Sequence, residues 1–364
     1  MPGRLVPGPR GGGEGMDGQI GPLGRAPGRE LRLGIEPVTS VTAARNLNRI
    51  GRAVIVHAEP GWFDPVREGT DAFWPKLVRE LAGQGIETRL VAARSKPAEV
   101  LRDPAAGHVH VVMGNAPSYA RNTLHVEAGY IPGFWYLDEI GVFWHSSLRL
   151  RQFCPEEINR AAAEYFFNGV SGWMLRHNLS KAPQAERVPG GLEPARAVIF
   201  CQDIEAAPER AHYLTNVEMI RTVAEHDPKA RVLVKLRPQQ GKASRREIVA
   251  AAQDYRNVQL SEASVHDLVA ASDIVVTQNS AAGFEALMQK KPVVTCAKAD
   301  YRHATLTART RGDLCDALDY GADAMAGFAY EKYFYWFLGK ALLEEAKDSF
   351  ARRAIARIRE KAFL

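Results

Sequence analysis

Short runs of β-branched and other apolar residues alternate with helix-like stretches from about residue 52 onwards. The pattern predicts strands at 52–58, 87–92 and 108–113, with a helix at 71–82 between the first two. Such runs, separated by helices, are typical of a parallel sheet that is covered on both faces. The first half of the chain is therefore predicted to form a Rossmann-like lobe.

This alternation is interrupted twice. A loop-rich stretch full of aromatic residues and glycine is predicted at 127–151, and a helix follows near Pro155, whose ring suits a first helical turn. Proline and glycine then concentrate at 181–194, which is the best candidate for a linker. Beyond the linker the alternation resumes, with strands predicted at 197–202, 231–236, 258–260, 273–277 and 292–296.

These elements divide the chain into four parts. Residues 50–185 and 195–325 are predicted to form two Rossmann-like lobes, so the fold class is α/β. A tail rich in glycine and proline, over residues 1–45, is expected to be disordered. Residues 326–364 carry a charged, amphipathic helical pattern and are expected to pack across the lobes, although their aromatic part could instead face a membrane surface.

Composition narrows the class of protein. Of the 364 residues, 46% are hydrophobic and 24% are charged, as in ordinary globular chains. Four widely spaced cysteines without a CxxC pair argue against a zinc site or a disulfide framework. A net charge of +5 with scattered Lys and Arg suits an anionic ligand or a membrane surface and does not indicate nucleic acid. Without an apolar run of about 18 residues or the apolar core of a secretion signal, the chain is expected in the cytoplasm.

The most informative stretch for chemistry is 273–297, where a buried strand ends and a helix starts a few residues later. Ligands of open α/β sheets bind at the carboxyl ends of strands, and free N–H groups at a helix start attract phosphate. Ser280, with Asn279 beside it, is therefore a candidate for binding phosphate, and Gly283 permits close backbone approach. Glu285 could accept hydrogen bonds from a ribose. The alternative is that Ser280 only caps the helix and Glu285 is solvated.

A second stretch, RVLVKLRP at 231–238, ends an apolar strand with Lys235 and Arg237. Strand alternation puts both side chains on one face. If this strand end lies side by side with the one that precedes Ser280, the two cations would meet phosphates and a sugar carboxylate, for which arginine has a bidentate fork. The alternative is a pair of solvated charges at the sheet edge.

Carboxylates mark two further stretches. Asp203 and Glu205 follow the predicted strand at 197–202, and carboxylates at a strand end in a cleft can act as nucleophile or base. Within the aromatic run at 125–147, Glu127 and Asp138 suggest a surface for an acceptor sugar. The alternatives are loop-solvating charges for the first pair and an irregular aromatic core segment for the second.

Together these stretches resemble the bacterial capsule polysaccharide biosynthesis proteins, including the retaining β-Kdo glycosyltransferases. The resemblance covers roughly residues 52–310 and rests on the order and spacing of its motifs. These are a V-E-x-G-[YF] run at Glu127 with an aspartate and glycine following at Asp138 and Gly141, a strand ending in Gln202 with acids after it, a K-x-H-P-like element at 235–238, an S-x-x-G-x-E-A-L run at 280–287 and an aromatic segment at 301–307.

This resemblance implies a GT-B-like pair of Rossmann lobes whose C-terminal lobe holds a nucleotide sugar, CMP-Kdo in the characterised relatives. It implies that Ser280 and Glu285 contact the nucleotide and that Lys235 contacts the charged part of the donor. It also implies that Glu127 acts as acid or base in the cleft. An aspartate soon after Gln202 would be the nucleophile of a double displacement that retains the configuration of the sugar.

Three positions depart from the family's pattern. Arg237 stands where a histidine is common, Ala128 stands where some members have aspartate, and the acids after Gln202 are Asp203 and Glu205 instead of an aspartate three or four residues on. Arg237 keeps a positive charge but cannot exchange a proton near neutral pH. Asp203 or Glu205 would replace the nucleophile, or neither would.

Three functions fit this sequence. The first is a retaining glycosyltransferase of capsule or surface polysaccharide biosynthesis that moves an acidic sugar, Kdo from CMP-Kdo for example, to a lipid-linked or polysaccharide acceptor without a metal or other cofactor. The second is a non-catalytic relative that binds polysaccharide or nucleotide. The third is a nucleotide-sugar epimerase, which leaves the Glu127 stretch unexplained. For the transferase, peripheral contact is expected with the inner face of the cytoplasmic membrane or with capsule assembly proteins.

Overall fold

Two six-stranded sheets, one in each lobe, form the framework of the protein. The computed structural model describes residues 33–114 and 116–362. The strands of the first lobe are β1 (Val54–Ala58), β2 (Thr88–Ala92), β3 (Val109–Met113), β4 (Thr123–Ala128) and β5 (Phe134–Asp138). Its helices are α1 (Val41–Ile50), α2 (Pro60–Glu68), α3 (Trp74–Gly83) and α4 (Lys96–Leu101).

The first sheet is parallel at its centre and antiparallel at one side. Strands β4, β3, β1 and β2 lie side by side in parallel, and β5 pairs with β4 in the antiparallel sense. Every residue of β1 is buried, because Val54 and Val56 pack into one core cluster while Ile55 packs into another together with residues of α1 and α4. Apolar side chains on both faces of β1 therefore require covering layers on both sides of the sheet.

The second lobe follows a long helix, α5 (Arg160–Arg176), and an irregular segment at 177–194. Its strands are β6 (Ala195–Phe200), β7 (Val232–Lys235), β8 (Val258–Leu260), β9 (Ser272–Thr277), β10 (Val293–Thr295) and β11 (Leu306–Thr307). They are all parallel, in the order β11, β10, β9, β6, β7, β8. The helices are α6 (Asn216–His226), α7 (Lys242–Gln253), α8 (Val265–Ala271), α9 (Ala281–Ala286) and α10 (Arg311–Met325).

After the second lobe the chain returns to the first. Helix α11 (Tyr330–Phe334) packs on α5 and continues as a π-helical segment at Tyr335–Ala341. Strand β12 (Leu343–Glu344) then pairs with β5, and α12 (Phe350–Ala362) packs on α3 and β4. The α/β class and the two Rossmann-like lobes that the sequence predicts are confirmed.

Two expectations from the sequence need correction. Residues 33–45, which were expected in the disordered tail, are folded: Pro37 forms a β-bridge with Leu90, and α1 begins at Val41. The physical reason is that this segment buries apolar side chains against the first lobe, among them Ile35 and Val38. The rest of the predicted tail, residues 1–32, lies outside the described residues. The stretch at 127–151 is also less irregular than expected, because it contains the end of β4 and all of β5.

A buried carboxylate and a cluster of aromatic rings join the two lobes. Asp300 of the second lobe accepts hydrogen bonds of 2.7 Å from the hydroxyls of Tyr130 and Tyr136 of the first. The ring of Tyr130 stacks on the ring of Phe284 of the second lobe, with 5.1 Å between the ring centroids. The ring centroids of Phe284 and Phe337 lie 4.8 Å apart. Burial raises the pKa of Asp300 to about 6. We call these five residues the interlobe core.

The first sheet buries histidines, and we expect these to lower the stability of the folded protein as the pH falls. His125 on β4 is 1% exposed, and burial lowers its pKa to about 4. The unfolded chain binds a proton at this residue below pH about 6.5, whereas the folded chain does not until about pH 4, so His125 lowers stability as the pH falls through this window. Replacing it with valine, His125→Val, should reduce the loss of unfolding free energy between pH 7 and pH 5 by roughly 1–2 kcal/mol.

Urea unfolding at the two pH values measures this difference. The exposed His177, replaced in His177→Gln, is the matched control and should leave the pH dependence as in the unaltered protein. An equal loss of stability in His125→Val and in the unaltered protein would contradict the interpretation.

Candidate active site

A cavity of about 560 Å³ lies where the carboxyl ends of β6, β7 and β9 face the first lobe. The first lobe contributes Tyr130 and residues 142–145 to its wall, and the irregular segment between the lobes contributes residues 180–184. The second lobe contributes the remaining wall through residues 200–202 and 204, 235–239, 265, 279–282 and 285. The cavity therefore combines both lobes and the segment that joins them.

The two strand ends that the sequence analysis placed side by side are separated by one strand. Phe200 on β6 is paired with Lys235 on β7 and with Thr277 on β9, so β6 lies between them. Two strand spacings correspond to about 10 Å. Both ends still reach the same cavity, because Lys235 and Ser280 line it. A ligand that contacts both must therefore span the end of β6.

In the part of the cavity wall that the second lobe contributes, positive charge comes from the two predicted cations, Lys235 and Arg237. The ammonium of Lys235 donates to the backbone carbonyls of Glu262, at 3.1 Å, and Ala263, at 2.8 Å, and partial burial lowers its pKa. The exposed guanidinium of Arg237 has no hydrogen-bond or ion-pair partner within residues 33–114 and 116–362. Lys235 is thus held in place by the fold, whereas Arg237 is available to a ligand.

Ser280 and its neighbours have structural roles at the same time as they line the cavity. The Ser280 hydroxyl caps α9 by accepting from the Ala282 N–H at 3.2 Å. The backbone N–H of Asn279 donates to the Gln202 side chain at 2.7 Å. Gly283 is required by packing, since an added Cβ would lie 2.7 Å from the Thr277 methyl group. The predicted close approach at Gly283 is to protein atoms.

Glu285 is a buried carboxylate, contrary to the solvated alternative. One of its oxygens accepts hydrogen bonds from the Ser180 hydroxyl at 2.8 Å and the Lys181 N–H at 3.1 Å. Its other oxygen, Oε2, is buried without a hydrogen-bond partner in the described part of the chain. Burial raises the pKa of Glu285 to about 7. This residue anchors the segment between the lobes to the second lobe.

Lys181 is a cavity residue that the sequence analysis missed. Its ammonium lies 4.3 Å from the centre of the Phe143 ring and donates to the Ala128 carbonyl at 3.3 Å. Lys181 as a whole is exposed to solvent, but the surrounding protein desolvates the ammonium and lowers its pKa to about 8, against the opposing effect of Glu127 and Glu285. No local pattern marks a lysine in a predicted linker as functional, because its surroundings come from both lobes.

Glu127 lies at the end of β4, close to Lys181 but outside the cavity wall as described. Burial raises its pKa, and the Ala128 N–H and the Lys181 ammonium partly oppose that rise. The Ala128 N–H donates to Glu127 Oε1 at 3.1 Å. A carboxyl with a raised pKa beside a lysine is suited to proton transfer if a ligand reaches it.

Asp138 holds a loop in place and does not line the cavity. Its two oxygens accept hydrogen bonds from the backbone N–H groups of Ile140, Gly141 and Ser147 and from the hydroxyls of Ser146 and Ser147, at 2.8–3.2 Å. With its acceptor positions occupied and only 6% of the residue exposed, Asp138 has little capacity left for a substrate. The geometry assigns it to the support of residues 140–147.

Asp203 and Glu205 are also engaged with the protein. Asp203 accepts from the Gly241 N–H at 2.9 Å, directly before α7. Glu205 accepts at 2.6 Å from both the backbone N–H and the side chain of Asn216, and at 2.9 Å from Gln278. Neither lines the cavity in this structure, although their neighbours Gln202 and Ile204 do. A nucleophilic role for either would require these contacts to open.

Comparisons with known proteins find a family similarity in the second lobe. Residues 202–314 match the family described as capsule polysaccharide biosynthesis protein. Over these residues the second lobe is similar to the capsule polysaccharide biosynthesis family. This segment contains Asp203, Glu205 and the six predicted donor-binding residues, namely Lys235, Arg237, Asn279, Ser280, Gly283 and Glu285. A comparison with curated proteins found no match.

The chain is also similar to solved structures. The β-Kdo 2,7 transferase of Thermosulfurimonas dismutans KpsC has a TM-score of 0.52 and 15% identity, covering 85% of this chain and 99% of that one. The β-Kdo 2,4 transferase of the same protein has a TM-score of 0.45 and 17% identity over 73% and 89% of the two chains. A UDP-N-acetylglucosamine 2-epimerase from Listeria monocytogenes has a TM-score of 0.35 and 12% identity, covering 85% of this chain and 96% of that one. The first match confirms the GT-B-like arrangement of two lobes.

Residues 33–114 and 116–362 contain neither a cluster of metal ligands nor a helix that could span a membrane. No group of three or more His, Cys, Asp or Glu side chains there is arranged to hold a metal ion. No helix in that part of the chain combines the length and the apolar character that crossing a membrane needs.

The contacts of Asp138 predict a structural phenotype. In Asp138→Asn the new amide group would face several N–H and O–H donors, so we expect a loss of roughly 2–4 kcal/mol of unfolding free energy. Urea unfolding of the purified variant checks this, with the exposed Asp323 replaced in Asp323→Asn as the control. A variant that is as stable as the unaltered protein yet fails only in an activity assay would show that Asp138 acts in chemistry instead.

Proposed function

We propose that the chain is a glycosyltransferase of capsule or surface polysaccharide biosynthesis that transfers an acidic sugar from a CMP-sugar, with CMP-Kdo as the first candidate. The observation that carries this proposal is the cavity between the lobes, which has three cationic side chains around it, Lys181, Lys235 and Arg237. A cleft lined by one sign of charge attracts ligands of the opposite sign. The match of the second lobe to the capsule biosynthesis family supports the same conclusion.

The donor fits the charges around the cavity. A CMP-sugar of an acidic sugar carries a phosphodiester and a carboxylate. Arg237, without a protein partner among the described residues, offers a bidentate fork to one of these anions. Lys181 reaches the cavity from the other side, on the segment between the lobes. The two anionic groups would therefore be bound by cations from the second lobe and from the segment between the lobes, and neither a metal nor another cofactor is required in this proposal.

The acceptor would enter from the first lobe. Aromatic side chains of that lobe line the cavity at Tyr130, Phe143 and Trp144, and rings of this kind suit the apolar faces of a sugar. Glu127 lies close to this wall and would act as acid or base. We further propose that the acceptor is a lipid-linked or polysaccharide glycan and that the protein works in the cytoplasm, with peripheral contact at the inner face of the cytoplasmic membrane or with capsule assembly proteins.

A retaining mechanism would need a carboxylate nucleophile at the anomeric carbon. The resemblance suggests Asp203 or Glu205 for this role. Donor binding would then have to displace the Gly241 contact of Asp203, or the Asn216 contact of Glu205, so that a carboxylate can turn towards the cavity. The proposal therefore includes a rearrangement of the loop at 203–205.

The affinity for the donor should depend on pH through the charge of Lys181. Because the pKa of Lys181 is lowered to about 8, its positive charge is present at pH 7 and largely lost at pH 9. The affinity for CMP-Kdo should fall as the pH rises through this range. Lys181→Met should weaken binding about 10- to 100-fold at pH 7, the usual cost of losing a charge-assisted contact. Lys181→Arg should remove most of the pH dependence.

Calorimetric titration at pH 7 and pH 9, with cytidine and uridine nucleotides beside the nucleotide sugars, measures these affinities. The exposed Lys229, replaced in Lys229→Met, is the control for a general change in charge. Release of CMP from CMP-Kdo, with and without added glycan acceptor, tests the transfer itself. The proposal fails if no nucleotide sugar binds or turns over.

A second candidate function is a non-catalytic relative that binds polysaccharide or nucleotide. The observation in its favour is that both candidate nucleophiles, Asp203 and Glu205, are hydrogen-bonded to the protein and lie outside the cavity wall. This arrangement is what a binding protein of the same fold would show, because it has no need of a free carboxylate.

Replacing each acid singly separates the two functions. For the transferase, either Asp203→Asn or Glu205→Gln should reduce turnover at least 100-fold while donor affinity changes less than about threefold. For the binding protein, neither substitution changes affinity and the unaltered protein shows no turnover. Turnover that survives both substitutions would remove these residues from the mechanism.

A further inference from the structure

The wall that the first lobe gives to the cavity is a short, strained loop. Phe143 has a φ of 53°, in the left-handed region that bulky residues rarely adopt. Such strain persists only where the surroundings impose it, and here Asp138 binds the loop on both sides of Phe143 through Gly141 and Ser147. The result is that three consecutive side chains, Phe143, Trp144 and His145, all line the cavity.

His145 is paired across the lobes with a carboxylate. Its Nε2 atom lies 3.4 Å from Oε2 of Glu209, which belongs to the second lobe. The His145 side chain is 10% exposed and Glu209 is 57% exposed, so the pair sits at the edge of the cavity with one member inside. The ring of Trp144 lies against the imidazole at 3.5 Å. Nδ1 of His145 has no hydrogen-bond partner in the described chain and is not sealed from solvent.

The other ionisable groups of the cavity wall are poorly suited to accept a proton from a substrate. Arg237 stays protonated at any working pH, and the ammonium of Lys235 is committed to two backbone carbonyls. The unpartnered oxygen of Glu285 is buried. Lys181, with a pKa lowered to about 8, is protonated at pH 7 and donates to the Ala128 carbonyl. The cavity wall also holds the imidazole of His145, with one nitrogen 3.4 Å from a carboxylate and the other unoccupied.

We propose that His145, which lines the cavity, and not Glu127, which lies outside its wall, is the base that takes the proton from the acceptor hydroxyl, and that Glu209 is a positioning residue that orients the His145 ring. This inference rests on the proposed function and names a residue of that same site. With Nε2 carrying the proton towards Glu209, the lone pair of Nδ1 is the acceptor, which is the arrangement by which a carboxylate orients a histidine base.

The proton balance of the transfer step is simple. The acceptor oxygen forms a bond to the anomeric carbon, and the bond from that carbon to its leaving group breaks, with the electron pair going to the leaving group. The leaving group is the nucleotide phosphate or, in a double displacement, a protein carboxylate. The hydroxyl proton moves to Nδ1 of His145, and the resulting imidazolium is stabilised by the negative charge of Glu209.

The charges around His145 favour its neutral form before the reaction. Burial is the largest influence and lowers the pKa of His145, and the nearby cations Arg149 and Lys298 lower it further. Glu209 raises it. His125, on the neighbouring strand β4, is the other titratable group in electrostatic contact. Activity that depends on a neutral His145 should fall as the pH is lowered through its pKa.

Two substitutions in the full-length protein test the proposal. His145→Gln should lower the rate of transfer to acceptor by about 100-fold or more while leaving CMP-Kdo affinity within about threefold, since proton transfer contributes 10²–10⁴ to such rates. Glu209→Gln should lower the rate about tenfold. Because this second change removes the influence that raises the His145 pKa, it should also move the acidic limb of the kcat profile to lower pH.

Matched controls keep the test specific. His226 and Asp319 form a similar histidine–carboxylate pair at 2.8 Å away from the cavity, and His226→Gln should leave rate and profile unchanged. Thermal unfolding shows whether each variant is folded. Because Glu209 is exposed, its substitution should leave the core intact. An active unaltered protein whose His145→Gln variant keeps its rate overturns this inference alone. An unaltered protein without turnover overturns the proposed function.

Discussion

The position of the two lobes relative to each other depends on one buried contact, the carboxylate of Asp300 between Tyr130 and Tyr136. Each hydroxyl donates at 2.7 Å, and the three groups are sealed within the interlobe core. A buried carboxylate is stable only when hydrogen bonds replace its lost hydration, so the two tyrosines and the aspartate require one another. This arrangement fixes Tyr130, which lines the cavity, against the second lobe.

The segment between the lobes completes the cavity because it is anchored at the same place. Ser180 and Lys181 donate to Glu285, and the Lys181 side chain crosses to the Ala128 carbonyl of the first lobe. A single lysine thus joins three parts of the molecule while its ammonium stays beside the cavity. The negative charge of an anion bound there would oppose the effect of desolvation on the Lys181 pKa, so ligand binding would favour the protonated ammonium.

The sequence was sufficient for the two lobes because buried parallel strands such as β1 and β9 contain an uninterrupted run of buried apolar residues, at 54–56 and 274–276. It was insufficient for β4 and β5, because His125 and Glu127 interrupt the apolar pattern and a glycine- and proline-containing turn, with Gly133 at a φ of 83°, joins the strands. The donor-side candidates Lys235 and Ser280 were found because strand ends are local signals. The pairing of His145 with Glu209 joins two lobes, so no local pattern contains it.

The roles of Asp138 and Glu285 show why residue type alone does not assign chemistry. Both are carboxylates in motifs that the resemblance singles out, and both are nearly sealed from solvent. Asp138 is surrounded by donors that use both oxygens, whereas Glu285 keeps one oxygen without a partner. An unpaired buried oxygen is costly in a structure that only has to be stable. Glu285 therefore keeps one acceptor position that the described part of the protein does not use, whereas both oxygens of Asp138 are occupied.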